Sequence, residues 1–288
     1  MDDRVIRDGI EDKSVTIDGL KIRYLEAGSG HPVLMLHGAS LGSSADVFLR
    51  NMPALAGAGF RAIAFDQPGF GLSDVPDDHS PGLRNRMIGK VADTLGLQRP
   101  ALFAHSQSGS TAWQLCLDNP ECYSHLIVLG TGSLLPPLEQ SKEGMDAAAQ
   151  QRLERRMVHK EPGVEDTRKL LEATLFHHQL ITEEELALRH SRSIGTNFKA
   201  FVARADYAAN APRKEKAGPP AWQRVLDQKV PTLLIYGRED RANAFERANL
   251  WKERHPSLNL HIVDGCKHLV PWDAADEIIR LAVPFMKT

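Results

Sequence analysis

Cysteine is scarce in this chain, with only Cys116, Cys122 and Cys266 in 288 residues. An odd, unevenly spaced set argues against a disulfide framework and fits a reducing compartment. No histidine or carboxylate pattern of metal spacing surrounds Cys116 and Cys122, so the pair reads as buried small hydrophobes. An excess of charge of either sign is also missing. The formal net charge is −2, which gives no reason to expect nucleic acid or a membrane surface as partner. No apolar run reaches membrane-spanning length. Met1-Asp2-Asp3-Arg4 is acidic and opens no apolar h-region, so no secretory leader is expected and the cytoplasm is the expected location. Internal repeats and low-complexity segments are absent too.

What is present is an ordinary globular composition, 42% apolar and 25% charged, in a length that suits one α/β core carrying an insertion. Val15-Thr16-Ile17 and Lys21 to Tyr24 read as two strands around the turn Asp18-Gly19. Val33 to Leu36 is a short continuous apolar run, as expected of a strand buried on both faces. Arg61 to Phe65, Ala101 to Ala104, Leu126 to Leu129, Thr232 to Tyr236 and Leu258 to Val263 repeat that pattern. Helical segments fall between them, near 46–57, 82–96, 108–118, 243–254 and 273–283. This alternation predicts an α/β fold: a mostly parallel central sheet with helices on both faces.

The alternation breaks between about Leu134 and Val230, where helix follows helix. Pro136-Pro137 opens this segment, and Gly218-Pro219-Pro220 closes it. Thr182-Glu183-Glu184-Glu185 is a capping-box pattern inside it. The basic stretch Arg152 to Lys160 contains Glu154, precedes Glu161 and reads as a solvated helix face. The expected organisation is therefore a core over 1–133, an inserted helical cap over 134–229, and the rest of the core over 230–288. A long insertion in a surface connection costs little closure entropy, and its usual use is to cover an active site.

Phe103-Ala104-His105-Ser106-Gln107-Ser108-Gly109 joins a buried strand to a helix. A serine at the apex of such a turn is a nucleophile elbow. The residues two before and two after it must be small. The consensus there is glycine, and Ala104 and Ser108 are both small. Read alone, Ser106 is also an ordinary helix-start serine. A serine hydroxyl needs a base, and the base needs an orienting acid. Asp240 follows the strand Thr232 to Tyr236, and His268 follows the strand ending at Val263. Both lie in loops at C-terminal strand ends, where ligands collect in open α/β sheets. Glu239 competes as the acid. Taken singly, Asp240 is a turn residue and His268 a loop histidine. His37-Gly38-Ala39-Ser40 follows another strand and suits the second arm of an oxyanion hole, its donors the N–H groups of Ala39 and Gln107. Asp66 to Asp74 reads as a structural tight loop, since no lysine follows in phosphate-binding spacing.

Together these motifs resemble the α/β-hydrolases, from about Val15 to Phe285. Glu161-Pro162 through Leu180-Ile181-Thr182 to Arg189 looks more closely like the meta-cleavage-product hydrolases. Arg50-Asn51-Met52 and Gly130-Thr131-Gly132 are similar to that family as well. The resemblance implies cleavage of a carbon–carbon bond in 2-hydroxy-6-oxohexa-2,4-dienoates, with Arg189 facing the dienoate end. Departures stand beside it. His105 precedes the serine where the family has Asn, and Gln107-Ser108-Gly109 replaces Met-Gly-Gly. Leu269 stands in place of a tryptophan, and Ala39-Ser40-Leu41-Gly42 replaces a Gly- and Pro-rich loop. Gly38, Ser40, Arg189 and Leu269 are the candidate substrate-binding residues; Arg189 equally fits an exposed helix position. The expected partner is a small carbonyl substrate, no metal or organic cofactor is called for, and self-association into a homo-oligomer is open. Ester or lactone hydrolysis is the alternative activity, and a ligand-binding receptor on the same fold is a third reading.

Overall fold

The computed structural model describes residues 7, 9–138, 159–212, 218–241 and 243–288. Its centre is an eight-stranded sheet: β1 (Glu11–Ile17), β2 (Leu20–Ala27), β3 (His31–Leu36), β4 (Phe60–Phe65), β5 (Ala101–His105), β6 (Leu126–Leu129), β7 (Thr232–Gly237) and β8 (Leu260–Val263). The spatial order is β1-β2-β4-β3-β5-β6-β7-β8. β1 and β2 form an antiparallel hairpin, β2 pairs antiparallel with β4, and every later pairing is parallel. The chain moves from β3 out to β4, then returns to the other side of β3 as β5. That reversal opens a crevice at the C-terminal ends of β3 and β5, where open α/β sheets bind ligands.

The central strands β3 to β7 are largely apolar because both of their faces are covered. On β3, Val33 and Met35 enter one apolar cluster while Leu34 and Leu36 enter the other, which is the two-residue alternation of a pleated strand. The covering helices of the core are α1 (Met52–Gly57), α2 (Pro81–Thr94), α3 (Gln107–Asp118), α7 (Ala244–Arg254), α8 (Val270–Asp273) and α9 (Ala275–Met286). Between β6 and β7, the described residues form α4 (Val164–Thr174), α5 (Glu183–Ser191), α6 (Thr196–Asn210) and short 3-10 turns, with no strand among them. The Arg247 side chain of α7 pins the start of this excursion by donating to the carbonyls of Gly132, Leu135 and Pro136.

Several local expectations are corrected. The segment 46–57 is not one helix. A 3-10 turn covers Ala45–Phe48 and α1 begins at Met52. Pro53 sits in the first turn of α1, where its missing N–H suits a helix start and cannot extend a preceding helix, and the Asp46 carboxylate accepts from Arg23 and Arg192. The segment 273–283 divides into α8 and α9 at Ala274, whose φ of −120° leaves the helical region. Cys122 is exposed rather than buried, on a short 3-10 turn, while Cys116 and Cys266 are buried; all three are free thiols. Thr182 accepts from the Glu185 N–H at 3.2 Å, but the Glu185 carboxylate turns to Arg7 at 2.8 Å and Arg50 at 3.3 Å instead of closing the box. Of the basic stretch, 152–158 lies outside the described residues.

Candidate active site

The turn from β5 into α3 forces Ser106 to φ 57° and ψ −126°, a backbone region that costs a non-glycine residue about 1–3 kcal/mol. Its neighbours hold it there. The Ser106 N–H donates to Leu129 O at 2.8 Å, and the Thr131 hydroxyl donates to Ser106 O at 2.6 Å. Ala104 and Ser108 are buried on either side. At Gly109 an added Cβ would stand 2.0 Å from Thr131 Oγ1, so only glycine lets α3 pack that closely.

The loops after β7 and β8 bring Asp240 and His268 to this turn. Ser106 Oγ lies 2.9 Å from His268 Nε2. His268 Nδ1 lies 3.1 Å from both Asp240 oxygens. An ionised carboxylate only accepts, so the ring proton sits on Nδ1 and Nε2 is left as an acceptor toward the serine hydroxyl. Burial alone would raise the Asp240 pKa. The pairing with His268, the charge of Arg241 and the Arg241 N–H at 2.7 Å outweigh it and hold the carboxyl below its usual range. Glu239, the competing acid, faces away and accepts the Cys266 N–H at 2.9 Å.

The other arm of the site comes from β3. A Cβ added at Gly38 would stand 3.1 Å from Ser106 Cβ and 3.5 Å from its Oγ, so the loop runs directly against the serine. Gln67 and Ser108 fix it. Ser108 Oγ donates to His37 O at 2.5 Å, and Gln67 Nε2 donates to the same oxygen at 2.8 Å and to Ser108 Oγ at 3.1 Å. The Gln67 N–H donates to His37 Nε2 at 3.0 Å, leaving Nδ1–H to donate to Gly38 O at 2.7 Å. Burial pushes the His37 pKa down to about 3, and the charges of Arg204, Arg189 and Arg84 act in the same direction. His37 is therefore a neutral strut. Ala39 follows it, and Gln107 opens α3, where the first N–H groups have no intrahelical acceptor.

Arg189 reaches this loop from α5, donating to Leu41 O at 2.8 Å and approaching Ser40 Oγ at 3.4 Å. Arg189 is half-buried, and burial lowers its pKa to about 10. Leu269 is buried, and its N–H donates to Thr174 O at the end of α4 at 2.9 Å.

Sequence reasoning missed three parts of this arrangement. Arg241 Nη2 lies 2.9 Å from His268 Nε2, so an obligate donor shares the lone pair that faces Ser106. His105 donates from Nε2 to His268 O at 2.8 Å. Burial, then the neighbouring His268, pushes the His105 pKa down to about 3, so it stays neutral and braces the histidine loop. The Ser108 hydroxyl tie is the third. A serine at the glycine position of the elbow was the available signal for it, though that serine was read only as small.

The sequence matches the alpha/beta hydrolase fold family over residues 31–275. It is 28% identical to a 2-hydroxy-6-oxononadienedioate/2-hydroxy-6-oxononatrienedioate hydrolase of Burkholderia vietnamiensis, over 98% of this chain and 94% of that one. It is 30% identical to a 2-hydroxy-6-oxo-6-phenylhexa-2,4-dienoate hydrolase of Comamonas testosteroni, over 92% of this chain and 91% of that one. The solved 2-hydroxy-6-oxo-6-phenylhexa-2,4-dienoate hydrolase of Rhodococcus sp. strain RHA1 superposes with a TM-score of 0.76 at 21% identity, covering 97% and 99% of the two chains. That last likeness speaks for the fold alone. The chain belongs to the α/β-hydrolase family, and it is a hydrolase with meta-cleavage-product hydrolases among its relatives.

Proposed function

We propose that this protein is a serine hydrolase that cleaves a carbon–carbon bond in a 2-hydroxy-6-oxo-dienoate, a ring-opened product of aromatic degradation. Ser106 is the nucleophile, His268 the general base and Asp240 the group that orients and supports the imidazole. His268 takes the hydroxyl proton as Ser106 Oγ bonds to the C6 carbonyl carbon. Protonation turns Nε2 into a donor, so Arg241 has to leave that nitrogen in this step. The N–H groups of Ala39 and Gln107 receive the oxyanion, and one such donor is worth about 3 kcal/mol in the transition state. Before cleavage the dienol tautomerises, its 2-hydroxyl proton passing to C5 to give the 2-oxo-3-ene; collapse then breaks the C5–C6 bond, the electron pair is delocalised through C3=C4 onto the C2 oxygen, and His268 returns the proton to that dienolate. Water, activated by the same histidine, then releases the acid. The segment 134–229 acts as the cap over this site, and the free thiols fit a reducing, cytoplasmic setting.

The observation that carries this reading over simple ester hydrolysis is Arg189. A half-buried guanidinium from α5 donates to Leu41 O and approaches Ser40 Oγ on the loop whose Gly38 runs against Ser106; a dienolate oxygen or carboxylate bound there needs a cation and a leaving alkoxide does not. Leu269 favours the second reading, a carboxylesterase or lactonase. A buried aliphatic side chain there offers no polar contact to a dienoate. The deciding experiment compares kcat/KM for a 2-hydroxy-6-oxohexa-2,4-dienoate with that for a short p-nitrophenyl ester. A dienoate value higher by orders of magnitude supports carbon–carbon cleavage; an inert dienoate with rapid ester turnover rejects it.

A further inference from the structure

Asp273, the last residue of α8, has a fully buried side chain that takes no part in the triad. Its two oxygens join separate parts of the chain. Oδ2 accepts the Lys267 N–H at 2.9 Å and the Phe176 N–H at 2.9 Å. Oδ1 accepts the His177 N–H at 3.0 Å and lies 3.2 Å from His177 Nδ1. An ionised carboxylate has about four acceptor sites, and these partners fill them. Lys267 immediately precedes His268, whereas Phe176 and His177 lie just past the end of α4. The residue on the other side of His268 is tied to the same place. The Leu269 N–H donates to Thr174 O at 2.9 Å, and Lys267 Nζ reaches Glu172 O at 3.3 Å. The loop also packs there: a Cβ added at Gly265 would stand 3.4 Å from His177 Cε1 and 3.6 Å from the Phe176 ring.

The loop that carries the base is therefore held from two sides. On the core side, the Cys266 N–H donates to Glu239 Oε2, the Glu239 N–H donates to Cys266 O, and His105 donates to His268 O. On the other side, the N–H groups that flank His268 bond to the end of α4, one directly and one through Asp273. A backbone N–H withdrawn from water needs an acceptor, so lifting the α4 end would strip Leu269 of its partner and leave Asp273 half-filled. We propose that Asp273 is a positioning residue that makes the placement of His268 depend on the docking of the α4 end. Cap and base then shift as one unit, and a molecule whose α4 end is lifted has a misplaced base. Hydrolysis is thereby confined to the docked arrangement. This rests on His268 as the general base and on 134–229 as the cap. It is independent of which acyl substrate the enzyme takes.

Two variants and one exchange measurement test this. Asp273→Asn keeps the shape and turns one acceptor oxygen into a donor facing N–H groups. His177→Ala is milder and removes only the ring contact, from a half-buried residue. Turnover of a short p-nitrophenyl ester and of a dienoate is measured well below the unfolding transition, with the folded fraction fixed by urea titration. Asp273→Asn should lose about 10- to 100-fold in kcat on both substrates, the scale of a displacement near 1 Å. The ester KM should stay within about two-fold, because only a transition-state interaction is lost. His177→Ala should lower kcat in the same direction by about two- to ten-fold, the scale of one hydrogen bond. A residue serving stability alone would lower the urea midpoint and leave the kcat of folded protein in place. Native-state hydrogen exchange of the wild type reads the coupling directly. The N–H groups of Phe176, His177, Lys267 and Leu269 should share one opening free energy. Unchanged kcat in folded Asp273→Asn overturns the proposal. So do Phe176 and His177 N–H groups that exchange about 100-fold faster than those of Lys267 and Leu269, and this result stands even if Asp273→Asn does not fold. Wild-type turnover in His268→Ala would overturn the base reading instead, and the exchange data would still decide whether the α4 end and the loop open together.

Discussion

Asp46→Asn tests how the helix that carries Arg189 is held. Asp46 is 6% exposed and accepts from Arg23 Nη1 at 2.6 Å, Arg192 Nε at 2.9 Å and Ser44 Oγ at 3.0 Å. Arg192 directly follows α5, so one carboxylate ties α5 to the turn before α1 and, through Arg23, to β2. Asparagine keeps the shape and removes the charge. Breaking a buried pair from one side costs about 3–5 kcal/mol. Arg23 keeps Asp12 at 2.7 Å and Asp66 at 3.3 Å, which places the expected loss at the lower end, about 3 kcal/mol. Equilibrium urea unfolding at pH 7 reads this as a lower midpoint at unchanged slope. The pH dependence has a definite sign. Burial alone would raise the Asp46 pKa, but the charges of Arg23 and Arg192 outweigh it and hold the folded value below the ordinary one. The stability it contributes is therefore complete above the unfolded pKa, about 4, and is lost as pH falls through the folded value. The gap between wild type and variant should be full at pH 7 and narrow below about pH 4. With α5 loosened, kcat/KM for a dienoate should fall further than for a neutral ester. A gap under about 1 kcal/mol at pH 7, well short of the buried-pair range, or one that widens on acidification, would refute the reasoning.

Ser106→Ala should lower turnover by at least about 10⁴-fold without shifting the urea midpoint; wild-type activity in that variant would remove the nucleophile assignment. Arg189→Ala should slow a dienoate far more than a neutral ester, and equal losses on both would make Arg189 a packing residue. Ser108→Ala removes one donor from His37 O while Gln67 still supplies another at 2.8 Å. With about 1.5 kcal/mol as the upper range for one such bond, kcat should drop by up to about ten-fold and KM should stay within two-fold or so; a change in KM alone would place Ser108 in substrate binding.

The centre of the sheet was legible because its strands obey one rule. Buried on both faces, β3 to β7 appear as short apolar runs, and those expected strands lie within a residue or two of the observed ones, whereas β1 begins at Glu11, before the expected Val15, and β2 runs on to Ala27, past the expected Tyr24. The helices were less legible where side-chain chemistry overrode periodicity. Nothing in the spacing around Asp46 announces that its carboxylate will be pulled to Arg23, which lies 23 positions away, and to Arg192, 146 positions away. The start of a new helix at Met52 accords with Pro53 in its first turn, which has no N–H to donate to the residue four before it. Cys122 was misjudged for a related reason. Composition says what a cysteine tends to do, and only the turn at Pro120–Cys122 decides that this one faces water.

The order Ser106, Asp240, His268 could be read because each residue follows a strand, in the loops at the carboxyl ends of β5, β7 and β8. The structure places the three within hydrogen-bonding reach of one another. What could not be read is everything that depends on side-chain reach across elements. Arg84 and Gln107 are separated by 23 positions, and Gly69 and Arg204 by 135. The departures from the family pattern carried more information than their first reading extracted. Ser108 is a hydroxyl in place of a glycine, and it joins the elbow to the β3 loop. His105 is a ring in place of an amide, and it braces the backbone of His268. Each substitution puts a hydrogen bond between two parts of the machinery that glycine cannot supply and asparagine would direct differently. Both hydrogen bonds join parts of the candidate site that lie far apart in the sequence, 71 positions for Ser108 and 163 for His105.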